Sequence, residues 1–365
     1  MRILYFSDIN SYHTIKWCRY FASRGYEVHV AGFERETPEA ASQLKGVQLH
    51  WLRNESKPRG SELQKLGYLK TIGQAKQVIN DVNPDVLHAH FASSYGLIAS
   101  FAARRPYYLS VWGSDVYEFP RKSLLHRAMI KRCLSAPSWL MSTSRAMAQE
   151  CRQYTRKSFE ITPFGVDMTL FTPKKRTQHE GFVIGTVKTL ERKYGIDTLL
   201  RGCALLHDKR PDLDVRVRIA GKGSLEKELR ALASTLGMDG YLTWLGFISQ
   251  QEAAREWASF DVACIESESE SFGVSAVEAQ ASGTPLVISD VPGLMEACDD
   301  GRTAFVTPRR DPEAVASALE ALADDPEKRE FMSAEGRAYV ERAYEINACF
   351  KRVDEIYTRN LKERR

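Results

Sequence analysis

The chain has no apolar run long enough to cross a bilayer, no low-complexity tract and no tandem repeat of solenoid length. Those absences exclude a bundle of membrane-spanning helices, a fibrous protein and a solenoid. Its first eight residues, Met1-Arg-Ile-Leu-Tyr-Phe-Ser-Asp8, read as a strand running into a turn, with no signal-peptide core and no small-residue cleavage site. Cysteine occurs seven times, at 18, 133, 151, 203, 264, 298 and 349, and never as a C-x-x-C pair. An odd, scattered set argues against a disulfide framework or a zinc site. It argues for reduced thiols in a cytoplasmic compartment, most of them serving as small core hydrophobes. No G-x-x-x-x-G-K-[ST] loop is present, which excludes a P-loop NTPase. Ala220-Gly-Lys-Gly223 lacks the third glycine and the acidic partner of a dinucleotide fingerprint, which disfavours a dehydrogenase. Asp212-Leu-Asp214 is a formal D-x-D, but it follows Pro211 just before a strand, where Asp is ordinary turn chemistry. No essential metal is expected.

What is there is enough for two ordinary domains: 365 residues with a globular composition. The net charge of +4 hides an asymmetry. Residues 1–175 carry 25 Lys and Arg against 14 Asp and Glu, and the remainder carries 26 against 33. A basic half joined to an acidic one points to an anionic surface or ligand facing the first half. None of the familiar nucleic-acid-binding motifs is legible, so no nucleic acid is expected. An anionic membrane leaflet or a phosphate-bearing acceptor fits better. Arg121-Lys122, Arg127 and Lys131-Arg132 interleave with Leu124, Leu125, Met129, Ile130 and Leu134. This basic amphipathic stretch suits either a membrane interface or a helix packed on its own domain.

Strand and helix alternate along the chain, which predicts parallel sheets flanked by helices. Strands are expected at Arg2–Phe6, Glu27–Ala31, Asp85–His88, Tyr108–Trp112 and Trp139–Ser142. A second series is expected at Phe182–Val187, Val215–Ala220, Leu242–Trp244, Val262–Ile265 and Pro285–Ser289. Helices are expected at His13–Arg24, Ile196–His207, Ser224–Leu236 and Gln250–Ala258, with a last one near Ala314–Ala323 followed by a polar segment. Ile161-Thr-Pro-Phe-Gly-Val-Asp167, Phe171-Thr-Pro173 and the polar stretch after them interrupt the rhythm. The expected organisation is an α/β protein: a Rossmann-like domain over 1–168, another over 169–340, and a helical segment over 341–365 crossing back to the first.

The most informative passage is Glu270-Ser-Phe-Gly-Val-Ser-Ala-Val-Glu278, followed by Ala-Gln-Ala-Ser-Gly283-Thr-Pro285. Two carboxylates flank a Gly turn that opens a short apolar helix. A helix N-terminus offers unpaired N–H groups and a favourable dipole to a phosphate. Gly273 in that turn lets the backbone approach a ligand closely. The bland reading is a loop acid and a solvated helix acid.

This passage resembles the E-x7-E signature of the retaining nucleotide-sugar glycosyltransferases of family 4. Ala220-Gly-Lys-Gly223, Leu245-Gly-Phe-Ile-Ser249 and Ile161–Asp167 with Phe171 and Pro173 are similar to further motifs of that family. In the first half, His13-Thr-Ile-Lys-Trp17, Leu87-His-Ala-His90 and Val111-Trp-Gly-Ser-Asp115 are looser matches. The resemblance implies the GT-B fold, two Rossmann-like domains facing across a cleft. It also implies transfer, with retention, of a sugar from a nucleoside-diphosphate donor to a hydroxyl of a glycan or lipid-linked acceptor. The expected setting is cell-surface polysaccharide biosynthesis, in the cytoplasm or peripherally on the membrane's inner face. No cofactor is implied.

By the same resemblance, Glu270 contacts donor-sugar hydroxyls, Glu278 holds the ribose, and Phe272, Gly273 and Val274 offer backbone N–H groups. Gly221 borders the donor. Lys193 faces the leaving diphosphate, where developing negative charge needs a cation. Tyr194 departs from the family pattern by separating Lys193 from Gly195, and Lys188 stands where the family carries an Arg; Arg192 is the alternative second cation. On the acceptor side stand His13, His90 and Trp112, the last replacing a frequent His. His88 and His90 are expected to point oppositely from their strand, so that only one faces the cleft. Phe272 is as fitting a core anchor as a ligand contact. Two rival functions remain: a non-catalytic nucleotide-sugar-binding subunit, and a nucleotide-sugar epimerase of the same fold.

Overall fold

The structure, a computed structural model, describes residues 1–52, 71–104, 106–173 and 181–363. It divides into two compact units, Met1–Phe164 with Asn347–Arg365, and Gly165–Ile346. Each is built on its own parallel sheet with helices between the strands.

The first unit carries seven strands: β1 (Arg2–Phe6), β2 (Glu27–Gly32), β3 (Gln48–Trp51), β4 (Val86–His90), β5 (Tyr108–Val111), β6 (Trp139–Ser142) and β7 (Phe159–Ile161). Their spatial order is β3-β2-β1-β4-β5-β6-β7. The second unit carries β8 (Phe182–Val187), β9 (Val215–Ala220), β10 (Leu242–Gly246), β11 (Val262–Ile265), β12 (Leu286–Ser289) and β13 (Ala304–Thr307), in the order β10-β9-β8-β11-β12-β13. β1 and β8 begin their sheets in mid-sheet, and the chain winds outward to one side before returning to the other. Each sheet therefore has a switch point, between β1 and β4 and between β8 and β11. At such a point the loops leaving the carboxyl ends of the strands diverge and open a crevice.

The strands absent from the sequence-based expectation, β3, β7 and β13, all lie at sheet edges. Edge strands are covered on fewer sides, and β3 (Gln-Leu-His-Trp) and β7 (Phe-Glu-Ile) lack the continuous apolar run that marks a central parallel strand. β3 is half-buried at most, whereas all of β4 is buried. The polar segment after the expected last helix is also structured. Pro312–Asp324 is followed by helices at Pro326–Tyr344 and Ile346–Lys362. Asp325 caps the first of these, accepting from the Lys328 N–H at 2.8 Å, with Pro326 at its first position. Its buried stripe, Met332, Gly336, Val340 and Tyr344, recurs every four residues inside a mostly polar sequence.

The Ile346–Lys362 helix completes the first unit. It buries Phe350 and Tyr357, whose rings lie 5.5 Å from those of Trp17 and Phe21 respectively. Burying aromatic side chains of this size contributes roughly 1.5–3 kcal/mol each. All seven cysteines are free and buried. No helix among the described residues is long and apolar enough to cross a membrane.

Candidate active site

In the second unit, β8 ends at Val187 and β11 at Ile265, so the residues just beyond them meet at the switch point. Lys188 and Glu270 form an ion pair there through Nζ and Oε2. Their side chains are 9% and 11% exposed. Lys188 Nζ also donates to Ser275 Oγ at 3.5 Å, and Ser275 Oγ donates to the Val187 carbonyl at 3.2 Å. This ties the β8 loop to the first turn of the Val274–Ala281 helix. Ser275 sits inside the paired-carboxylate motif, but nothing in its spacing marks it as a partner of Lys188.

Tyr194 has a role that the sequence did not reveal. Its ring lies 4.5 Å from Lys188 Nζ and 5.1 Å from Lys193 Nζ. One aromatic ring thus lies within cation–π reach of both ammonium groups. The Arg192–Tyr194 turn is followed by Gly195 at φ +58°, where a Cβ would stand 1.8 Å from the Glu266 carbonyl oxygen. The Lys193 carbonyl accepts from the Glu268 N–H at 2.8 Å. The Lys193 turn is therefore fixed on the loop that carries Glu270. Arg192 flanks this turn.

Gly221 lies beyond β9 at φ +141°, and a Cβ there would fall 1.9 Å from the Lys188 carbonyl oxygen. Gly223 meets the Leu190 carbonyl in the same way, at 2.2 Å. The Gly-Lys-Gly turn is thus pressed against the Lys188–Leu190 loop and backs it. Gly273 precedes the Val274–Ala281 helix at φ +82°, a conformation that L side chains rarely adopt. Gly293 lets the chain pack on Glu270, whose carbonyl oxygen would stand 2.2 Å from a Cβ there.

Phe272 is 2% exposed and meets Tyr344 edge to face at a centroid distance of 5.2 Å. Its side chain is a core anchor, so only its backbone is left for a ligand. Val274 begins the helix, and Glu278 lies along it, 9% exposed. Asp212 and Asp214 each pair with an arginine, at 2.8 Å to Arg210 and 2.9 Å to Arg216.

Glu266, which sequence reasoning passed over, is 2% exposed at the end of β11. Burial pushes its carboxyl up to about 8, against the hydrogen bonds of Thr307 and Cys264, and nearby Asp290 and Asp311 add to the rise. Its Oε2 meets Thr307 Oγ1 at 3.0 Å.

In the first unit, His90 Nδ1 meets Ser7 Oγ at 3.0 Å, bridging the ends of β4 and β1 at that sheet's switch point. Its Nε2 is buried with no hydrogen-bond partner among the described residues, and burial lowers its pKa to about 3. His13 stacks on Phe164 at 3.7 Å, with its Nδ1 likewise buried and without a hydrogen-bond partner among the described residues. Desolvation, then Lys16 and His90, hold His13 well below the usual imidazole range. Trp112 stands 5.9 Å from His13, 4.7 Å from His90 and 5.3 Å from Phe164. The three acceptor-side candidates thus form one aromatic cluster. Its floor is shaped by Asp115, a buried carboxylate that accepts from the N–H groups of Ala92, Trp112 and Gly113. Phe91, next to His90, takes φ +68°, a costly conformation for a non-glycine residue.

The expected opposition of His88 and His90 is overturned. Side chains on a strand alternate with a period of two, so residues two apart share a face. Both rings are buried, with centroids 4.5 Å apart. His88 is committed to the interior, with Nδ1 2.5 Å from the Tyr357 hydroxyl and Nε2 2.8 Å from Ser110 Oγ.

Two family models match the chain: Glycosyl transferase 4-like over residues 2–144, and Glycosyl transferases group 1 over residues 167–339. Among curated relatives, D-inositol 3-phosphate glycosyltransferase of Arthrobacter sp. (strain FB24) is 36% identical over 211 residues, covering 54% of this chain and 50% of that one. The protein of the same name from Kribbella flavida is 29% identical over 289 residues, covering 71% and 67%. The chain spans about half the length of most of these relatives. Among solved structures, sucrose-phosphate synthase from Thermosynechococcus elongatus aligns with a TM-score of 0.86 at 17% identity over 100% of both chains. Anabaena Alr3699/HepE, solved in complex with UDP and glucose, aligns at 0.81 and 20% identity over 98% of this chain and 99% of that one. At these identities the structural likeness establishes the GT-B fold. With both family models matched in register with the two units, the chain belongs to the group 1 glycosyltransferases, family 4.

Proposed function

We propose that this protein is a retaining, metal-independent glycosyltransferase that moves a hexosyl group from a nucleoside-diphosphate sugar to an acceptor hydroxyl. The observation that carries this reading is the pairing of Lys188 with Glu270 at the second unit's switch point, against the first turn of the Val274–Ala281 helix. Lys188 and Lys193 supply the positive charge that a departing diphosphate needs, and the helix N-terminus supplies N–H donors beside them. Glu270 orients sugar hydroxyls, and Glu278 takes the ribose. The bond from the anomeric carbon to the phosphate oxygen breaks as that carbon bonds to the acceptor oxygen on the same face. The acceptor proton passes to the leaving phosphate, so no side chain need act as a covalent nucleophile. In this scheme His13, His90 and Trp112 belong to the acceptor side.

The nature of the known relatives supports the reading. Curated relatives named D-inositol 3-phosphate glycosyltransferase match about half of this chain, and HepE was solved with UDP-glucose. A glycan or lipid-linked hydroxyl is the acceptor class proposed here. The test is metal-free calorimetry with UDP, GDP and ADP, followed by product assay with the matching nucleotide sugar. Selective binding of one nucleotide, weakened in Glu278→Ala together with turnover, is expected. Binding without turnover across candidate acceptors would favour a non-catalytic subunit, and normal turnover by Glu278→Ala would overturn the site.

A further inference from the structure

Outside both switch points, the first unit carries a groove of about 890 Å³ between the Arg145–Cys151 helix and β7. Its floor is apolar, formed by Ala146, Ala148, Phe159 and Ile161. Its rim is cationic, with Arg145, Arg152, Arg156 and Lys157 and no acidic lining residue. The two neighbouring acids are already engaged. Glu150 pairs with Arg121 at 2.9 Å, and Glu160 pairs with Arg359 at 2.5 Å. Lys157 spends its ammonium on the Ser135 and Pro137 carbonyls. Arg152 and Arg156 are exposed and have no ion pair among the described residues. A cationic rim over an apolar floor matches an amphiphile whose anionic head joins an apolar body, and suits a free anion poorly.

A second observation adjoins the groove. Leu124 and Leu125 open the Leu124–Ser135 helix and are 84% and 64% exposed, while His126, Ile130, Cys133 and Leu134 of that helix are buried. The basic amphipathic stretch therefore divides its work: its interior face packs on its own domain, and two leucines project into solvent. The cations flanking them in sequence lead to the groove. Arg121 reaches Glu150, and the Arg127 guanidinium lies 5.8 Å over the Tyr154 ring. Two protruding leucines flanked in sequence by Arg121, Lys122 and Arg127 are what an interfacial contact requires: apolar groups that enter the acyl boundary and cations held at headgroup level.

We propose that this face of the first unit docks on an anionic phospholipid bilayer, with Leu124 and Leu125 inserted and one lipid phosphate seated between Arg152 and Arg156. The inference is independent of the transfer chemistry. It is tested by sedimentation of the full chain with vesicles of phosphatidylcholine alone or with phosphatidylglycerol, at low and high salt. Inorganic phosphate and glycerol phosphate are titrated alongside. Binding is expected only to the anionic vesicles and should fall with salt. Each cation near such a surface contributes about 1 kcal/mol, or roughly five-fold, so Arg152→Gln/Arg156→Gln should weaken partitioning by about 25-fold. Leu124→Ser/Leu125→Ser should weaken it by at least tenfold with the salt response retained. Both pairs are exposed, so circular dichroism and nucleotide binding should stay as in the parent. Parent-like vesicle binding by the arginine variant would overturn the proposal. So would failure of the parent to bind anionic vesicles at low salt, with or without an affinity for soluble phosphate.

Discussion

Replacing Lys188 with methionine separates what the ion pair does for the fold from what it does for a ligand. Lys188 and Glu270 are nearly enclosed, so the loss of one leaves a carboxylate with little water to solvate it. Breaking a buried pair typically costs 3–5 kcal/mol. The 11% exposure of Glu270 and its freedom to turn toward water put the expected cost at the low end, about 3 kcal/mol. For a unit of this size that is a fall of roughly 6–12 °C in the melting temperature of Gly165–Ile346. Glu270→Gln should cost less, about 1 kcal/mol. The ammonium it leaves retains Ser275 Oγ and the Tyr194 ring. The double variant Lys188→Met/Glu270→Gln should cost about 2 kcal/mol in place of the additive value of about 4, giving a coupling energy of about 2 kcal/mol in a double-mutant cycle. Calorimetric unfolding reads the first quantity, and titration with the preferred nucleoside diphosphate reads the second. If Lys188 also meets the diphosphate, losing that charge-assisted bond weakens affinity roughly ten- to a hundred-fold. An additive cycle would refute the claim that the pair is coupled, and unchanged nucleotide affinity would refute its place at the diphosphate.

Two further expectations follow from burial and from backbone geometry. Burial raises Glu266 to about 8 from the ordinary carboxylate value of 4.5, so the folded state holds a proton that the unfolded chain releases. Its contribution to stability is therefore lost as pH rises from about 4.5 through 8, at roughly 1.4 kcal/mol per pH unit. The first unit responds in the opposite sense. His90, lowered to about 3, and His13 and His88, held by burial well below the usual imidazole range, favour folding above 6.5 and lose that contribution as pH falls. Calorimetry from pH 4 to 9 should resolve the two trends, and Glu266→Gln should flatten the alkaline one; an unchanged slope in that variant would sink the assignment. Among the glycines, Gly221→Ala must displace the Lys188 backbone and should cost more than about 2 kcal/mol. Gly237→Ala, at φ +70° with nothing within 4 Å, should cost about 1 kcal/mol. Equal losses by chemical denaturation would show that the close approach at Gly221 does not matter.

The sequence by itself determined the central strands and the pattern of the site. Arg2–Phe6, Trp139–Ser142, Phe182–Val187, Val215–Ala220 and Val262–Ile265 match the structure residue for residue: most are apolar runs, as a strand covered on both faces requires, and Val215–Ala220 alternates apolar residues with Arg216 and Arg218, the other pattern that marks a strand. The paired-carboxylate passage was equally legible, since its Gly turn, short helix and second glycine are local chemistry. Only the tertiary structure decided the rest. The edge strands β3, β7 and β13 and the Pro326–Tyr344 helix needed long-range packing to appear, because those strands are only three or four residues long and the helix sequence is mostly polar. Strand order is a property of pairing between distant segments. It alone brought Lys188 to Glu270, 82 residues away, and Ser7 to His90, 83 residues away. Tyr194 looked like an interruption of a motif until the fold put both lysines on its ring. Periodicity can say which face of an element is buried, but what that face meets is settled only when the sheet closes around it.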